Sequence, residues 1–172
     1  MSIRVETRED YKTVEQVIEL AFQDEKFSDQ TEHRLVHCLR ESTEWIEELS
    51  LVYELHGEIV GHVLLTKAYI GTERAETLAL APVSVLPAHQ KKGIGTQLIN
   101  KSLDVAARLR FGSVIVLGHQ AYYPKFGFVK ASAHGIKAPF EIADELFMVK
   151  ELRPHDLDHV SGVVEYSSCF GG

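Results

Sequence analysis

Nowhere in the 172 residues is there an apolar run approaching the roughly 20 residues that cross a bilayer, so no membrane span is expected. The opening residues Met1-Ser2-Ile3-Arg4-Val5-Glu6 hold no basic segment leading into an apolar stretch, and no secretory leader is expected. Cysteine is scarce. Cys38 and Cys169 stand far apart and outside any metal-ligand spacing, and the expectation is two free thiols in a reducing cytoplasm. Positive charge is in deficit: 18 Lys and Arg against 25 Asp and Glu give a formal net charge of −7. A protein that neutralises many phosphates carries a basic face, so nucleic acid is not an expected partner. Internal repeats, low-complexity tracts and linker-like stretches are also missing. One compact domain spanning 1–172 is therefore expected, and that length suffices for a sizeable core.

What is present reads as an alternation of strands and helices. Ile3 to Thr7 alternates as a short edge strand would. Asp10 is placed to cap a helix running to Gln23, with Val14, Val17, Ile18, Ala21 and Phe22 on one face. Polar residues 24–30 form a break. A second helix from Thr31 to Glu41 carries Leu35, Val36 and Leu39 at helical spacing. His33 and His37 lie one turn apart on it beside Cys38, but no further ligand pair accompanies them and no metal is expected. Leu51–Leu55 and Glu58–Tyr69 flank the short turn His56-Gly57 as a hairpin. Thr77–Leu86 is a nearly unbroken apolar strand, expected to be central and covered on both faces. Gly93 to Arg110 is a long amphipathic helix with Ile94, Leu98, Ile99, Leu103, Ala106 and Leu109 inward, ended by Gly112. Ser113–Leu117 is a short buried strand. Ala121–Phe126 reads as a brief helix interrupted by Pro124, and Phe128 opens a further strand. Glu145–Leu152 and Gly162–Tyr166 close the chain as late strands. The fold class is mixed α/β (α+β): a central, mostly antiparallel sheet flanked by helices.

The segment most specific for chemistry is Val83-Ser84-Val85-Leu86-Pro87-Ala88-His89-Gln90-Lys91-Lys92-Gly93-Ile94-Gly95-Thr96. An apolar strand ends, a polar loop follows, and two glycines fall at the first turn of an amphipathic helix. The first amides of a helix lack intrahelical acceptors and its dipole favours an anion there, while glycine lets the backbone approach closely. Lys91 and Lys92 add charge, so an acidic chain with one basic pocket suits an anionic cofactor and a cationic second substrate. A dinucleotide fingerprint needs a third glycine where Leu98 stands, and the Gly-Lys-Ser/Thr of a nucleotide P-loop is absent. Taken alone, Gly93-Ile94-Gly95 also fits a loop that merely turns the chain.

Gln90-x-x-Gly93-x-Gly95, set after Val85-Leu86-Pro87, resembles the Gln/Arg-x-x-Gly-x-Gly/Ala signature of the GNAT (Gcn5-related N-acetyltransferase) superfamily. About thirty residues on, Tyr123-Pro124-Lys125-Phe126-Gly127-Phe128 resembles its Tyr-x-x-x-Gly-Phe. The likeness extends to the YhbS-like branch through Glu32-x-x-Leu35-Val36-x-x-Leu39-Arg40, Gly57-Glu58-Ile59-Val60-Gly61-His62, Leu117-Gly118-His119, Tyr122 before the Tyr123 motif, and Gly162-Val163-Val164-x-Tyr166. It covers essentially the whole chain.

This resemblance implies a single GNAT-type domain that moves an acetyl group from acetyl-CoA, as cosubstrate, to a primary amine by direct transfer in a ternary complex. The pyrophosphate would lie on the amides of Lys92, Gly93, Ile94, Gly95 and Thr96, beside Gln90 and Lys91. The pantetheine arm would run along the strand edge at Val83 and Val85, whose side chains serve equally as core. A backbone N–H there would donate to the thioester oxygen. Tyr123 is the implied general acid toward the departing thiolate, with Tyr122 as a packing neighbour. Glu76, His62 and His119 are chemically possible bases, and the residues do not choose among them. The acceptor is a small-molecule amine or a peptide or protein amine, in a groove built by the first two helices, residues 24–30 and the late strands. A non-catalytic acyl-CoA-binding sensor is the other reading. The apolar strand Val163–Tyr166 fits either a homodimer interface or the monomer's own sheet.

Overall fold

The computed structural model describes residues 1–26 and 28–171; Phe27, within the expected break at 24–30, and Gly172 lie outside the described residues. The strands are β1 (Ser2–Val5), β2 (Ser50–Leu55), β3 (Glu58–Ile70), β4 (Ala75–Val85), β5 (Ser113–Leu117), β6 (Val129–Lys130), β7 (Ile136–Lys137), β8 (Phe147–Glu151) and β9 (Gly162–Glu165). The helices are α1 (Tyr11–Phe22), α2 (Glu32–Arg40) and α3 (Ile94–Arg108). The sheet runs β1-β2-β3-β4-β5-β8-β6, with β9 joining β3 and β7. Pairing is antiparallel except between β4 and β5 and between β7 and β9.

The α3 repeat is read directly by the sheet. Ile94, Leu98, Ile99, Leu103 and Ala106 are buried against Val63 and Leu65 of β3, Leu78 and Leu80 of β4, and Val114 and Val116 of β5. Leu109, expected inward, is about a third exposed because the helix ends at Arg108 and Leu109 caps it. The opposite face of the sheet is covered by α1 and α2, where Val14, Ile18, Val36 and Leu39 pack on Val52 and Leu64. Period-3.6 stripes on the helices and period-2 alternation on the strands thus meet as two apolar layers.

Among these apolar residues lies one buried polar network. The Arg40 guanidinium donates to both carboxylate oxygens of Glu6, at 3.2 and 3.0 Å, and to Glu15 of α1 at 2.6 Å. Ser50 Oγ donates to Glu6 at 2.8 Å and lies 2.9 Å from His62 Nε2. Tyr11 stacks on the guanidinium at 3.9 Å. Loss of one member of such a buried ion pair typically costs about 3–5 kcal/mol, since the other charge is stranded. The network therefore fixes α1 and α2 on the sheet.

Two sequence expectations are corrected. Asp10 does not cap α1. Its carboxylate turns back to the Thr7 amide at 2.7 Å and to Arg4 at 2.7 Å, the stronger, charge-assisted partners. The cysteines are not free: Cys38 and Cys169 form a disulfide across 131 residues of sequence, with a Cα–Cα separation of 5.9 Å. The physical reason is β9. It pairs with Tyr69 and Ile70 at the far end of β3, beyond the reach of β2, and delivers the residues after it to α2. The same pairing means that β9 belongs to the chain's own sheet, and a dimer built on it would have to use side chains such as the half-exposed Val163.

Because the disulfide closes a very long loop, Cys169→Ser is expected to lower unfolding free energy by about 2–4 kcal/mol. Urea denaturation checks this, and wild-type protein under reductant should unfold at the variant's midpoint.

Candidate active site

The site begins with a defect in the sheet. β4 and β5 pair only at Leu78–Val114 and Ala79–Ile115, yet β4 continues to Val85 and β5 to Leu117. At the parting, Ala81 and Pro82 together stand opposite Leu64, a bulge that bends β4. Pro82 also has no amide proton to offer a neighbouring strand. Beyond the bulge, Leu86 N–H donates to Val60 on β3. The antiparallel alternation then turns the amides of Val83 and Val85 the other way, into the gap. The Val85 carbonyl, facing the same way, accepts from Gln90 Nε2 at 3.0 Å, which ties the following loop to the strand.

That loop delivers the start of α3 to the mouth of the gap. Gly93 sits at φ 84°, ψ 6°, a left-handed conformation in which a side chain would be strained, and caps the helix. The Gln97 amide is the first α-helical donor, to the Gly93 carbonyl at 3.1 Å, so the amides before it lie open for an anion. A methyl on Gly95 would come 3.5 Å from Tyr122 Oη and 3.9 Å from Val83 and Val85. The cradle and the free edge of β4 are therefore adjacent. Ile94 is buried, its side chain in the core; Lys91 and Lys92 are exposed beside the cradle.

Two further side chains reach the helix start. Tyr122, read as a packer, places its hydroxyl 3.3 Å from Thr96 Oγ1, and Lys125 Nζ reaches the same oxygen at 3.2 Å while lying 4.1 Å over the Tyr122 ring. Lys125 is thus a third cation at the helix start. The available signal was their spacing of three on a helical turn, which puts both on one side. Tyr123 lies against Gly118 at the end of β5, where an added methyl would be only 2.2 Å from its ring. Tyr122, Phe126 and Phe128 surround it at 5.1 to 6.2 Å between ring centroids. Burial, with Tyr122 adding to it, pushes the Tyr123 phenol up to about 12, so it holds its proton throughout the neutral range.

On the other side of the gap opens a cavity of about 1530 Å³. Leu80 and Val116 from the α3 face and Ala79 and Ile115 from the opposite face all border it, so it reaches between the parted strands. Its outer walls come from Asp29, Glu32 and Leu35 at the start of α2 and from β9 and the residues that follow. The cradle and the cavity thus approach one gap from two sides.

The sequence pattern of the Acetyltransferase (GNAT) family matches residues 14–128. The chain belongs to that family. Over 171 residues, 99% of this chain and 98% of its relative, it is 29% identical to YhbS of Escherichia coli K12, an uncharacterised N-acetyltransferase. A crystal structure of E. coli YhbS in complex with CoA superposes with a TM-score of 0.88 at 28% identity, covering 99% of this chain and 92% of that one. A GNAT family acetyltransferase from Brucella melitensis in complex with acetyl-CoA gives 0.83 at 32% identity, over 98% and 97% of the two chains.

Within this GNAT fold the three candidate bases are dispersed. His62 is fully buried in the Arg40 network, and burial, with the Arg40 charge, pushes it down to about 3, so it cannot serve as a base exposed to substrate. Glu76 pairs with Lys67 at 3.6 Å near the start of β4, seven residues from Val83 and hence about 23 Å away along the strand. His119 stands exposed just beyond β5, and its Nδ1 accepts from the Ala121 amide at 3.2 Å, so the lone pair is engaged. His33 and His37 face Glu19 and Glu15, and among the described residues no group of three potential ligands is placed to hold a metal. Nor, among those residues, is any helix long and apolar enough to cross a membrane.

His62 has a measurable consequence. In the unfolded chain it takes up a proton near pH 6.5, whereas in the folded protein it does so only near 3. Its contribution to stability is complete above pH 6.5 and is lost as pH falls through that window, at about 1.4 kcal/mol per unit. His62→Asn is expected to flatten this part of the stability–pH curve, measured by urea unfolding between pH 4 and 7.

Proposed function

We propose that this chain transfers the acetyl group of acetyl-CoA to a primary amine, directly and within a ternary complex. The observation that carries the reading is the parted pair β4/β5, with an anion cradle at one side and a cavity at the other. The pyrophosphate would rest on the amides from Lys92 to Thr96, with Lys91, Lys92 and Lys125 supplying positive charge. The pantetheine arm would lie along β4 as an added strand, using the amides of Val83 and Val85. Relatives crystallised with CoA and with acetyl-CoA, at TM-scores of 0.88 and 0.83, support this assignment.

In the reaction the amine nitrogen attacks the thioester carbon. One of the gap-facing amides donates to the oxygen as it gains charge. When the C–S bond breaks, sulfur takes a proton from the Tyr123 hydroxyl, which is still protonated because burial holds its pKa near 12. The amine must arrive unprotonated. The apolar lining at Leu80 and Ile115 favours its neutral form by desolvation, and the proton the nitrogen loses after attack passes to water, from which the Tyr123 phenolate regains its own. An acetyl-cysteine intermediate has no support, because both cysteines are joined to each other. Use of acetyl-CoA favours the cytoplasm as the site of action, and the Cys38–Cys169 bond would there face a reducing pool.

The test is amine-dependent thiol release from acetyl-CoA, wild type against Tyr123→Phe. Loss of the acid is expected to lower kcat by about tenfold or more, with the acetyl-CoA Kd changed by less than about threefold. Tight acetyl-CoA binding with no amine-dependent release in a broad panel would instead favour the sensor reading.

A further inference from the structure

The cavity's lining carries an asymmetry of charge that narrows the acceptor. Among the described residues no Lys, Arg or His borders it, whereas three acids do: Asp29, Glu32 and Glu165. Glu165 is matched by Arg74 at 3.0 Å. Asp29 and Glu32 have no cationic partner among the described residues. Asp29 accepts from the side chain and amide of Thr31, which hold its carboxyl below the ordinary range, and Glu32 accepts from Ser28 Oγ at 2.8 and 2.6 Å. These contacts fix the two carboxylates in place without cancelling their charge.

The second observation is an aromatic wall. Phe140 stacks on Tyr166 with centroids 6.3 Å apart and planes at 20°, and Tyr166 meets Phe170 at 5.1 Å. Phe170 also packs against two apolar clusters, the one that holds Val164 of β9 and the one beneath α1 and α2. Phe140 remains 46% exposed, an open ring face beside the cavity. Such faces attract flat or bulky apolar groups by dispersion, and cations through their quadrupole.

Resting on the transferase reading above, we infer that the acceptor is a cationic amine on an aromatic or bulky apolar body, bearing no carboxylate. Asp29 and Glu32 draw the ammonium to the cavity, and the wall holds the body. A carboxylate on the carbon bearing the amine would have to accompany it toward Leu80 and Ile115. It would be desolvated there without a cationic partner among the lining residues, in a cavity whose outer wall carries Asp29 and Glu32. Free amino acids are thereby rejected, while the corresponding decarboxylated amines are accepted.

The experiment compares 2-phenylethylamine and tryptamine with phenylalanine and tryptophan, which differ by the carboxylate alone, and with a lysine-containing peptide. Each amine is expected to exceed its amino acid in kcat/KM by about tenfold or more. Phe140→Ala, at an exposed position, is expected to raise KM for tryptamine more than for butylamine. The pair Asp29→Asn and Glu32→Gln is expected to raise KM about threefold at low salt, an effect that fades at high salt. Equal use of an amine and its amino acid, or preference for the peptide, would overturn the inference. So would a protein that binds acetyl-CoA, seen as a thermal shift, yet acetylates neither arylalkylamine. Absence of the acetyl-CoA shift would instead defeat the transferase reading on which the inference rests.

Discussion

Main-chain amides left unpaired inside a protein are costly, and a sheet exists largely to satisfy them. β4 and β5 run on after their pairing ends, with the amides of Val83 and Val85 turned into the opening. Much of the surrounding structure serves to keep that opening from closing. The Ala81-Pro82 bulge bends β4 away, Gln90 occupies the Val85 carbonyl, and α3 wedges its first turn beside the strand. Gly118 leaves room for Tyr123 at the end of β5, so the neighbouring strand is capped by an aromatic cluster and does not zip further. A ligand that itself offers peptide-like groups is the natural partner for such an edge.

The other face depends on charge. Arg40, Glu6 and Glu15 draw α2, the turn after β1 and α1 into one block, with Ser50 and His62 completing the network beneath. The cavity wall at Asp29, Glu32 and Leu35 leads into this block, so a buried ion pair away from the parted strands sets one side of the cavity. The opposite wall is carried by β9, a strand of four residues that borrows the end of β3 that β2 leaves unpaired. Cavity shape thus rests on two separate attachments to the same long central strand.

Local patterns made most of this legible before the structure. Strand β5 occupies the span its Val/Ile run marked, and α3 differs only at its ends, because periodicity and turn residues act within a few positions. The helix-start glycines and Tyr123 were legible as motifs, and the structure brings their elements to one gap. Properties set by distant partners were hidden. Nothing near His62 shows Arg40 and Ser50 around it, and the 131 residues between the cysteines hide their meeting. β7, two residues long, is too short to give a period at all. The reach of Tyr122 and Lys125 to Thr96 was concealed by their more conspicuous neighbour, since a motif directs attention to one side chain of a turn.

The bond between Cys38 and Cys169 also changes what kind of object the chain is. It turns the stretch from α2 to the C-terminal turn into a covalent ring that contains β2 to β9 and all of α3. A protease that cuts once in any loop of that ring opens it without producing two molecules. The residues that wall the cavity would stay tethered to the helix they face, and the severed ends would have only a local search to make before the sheet is whole again.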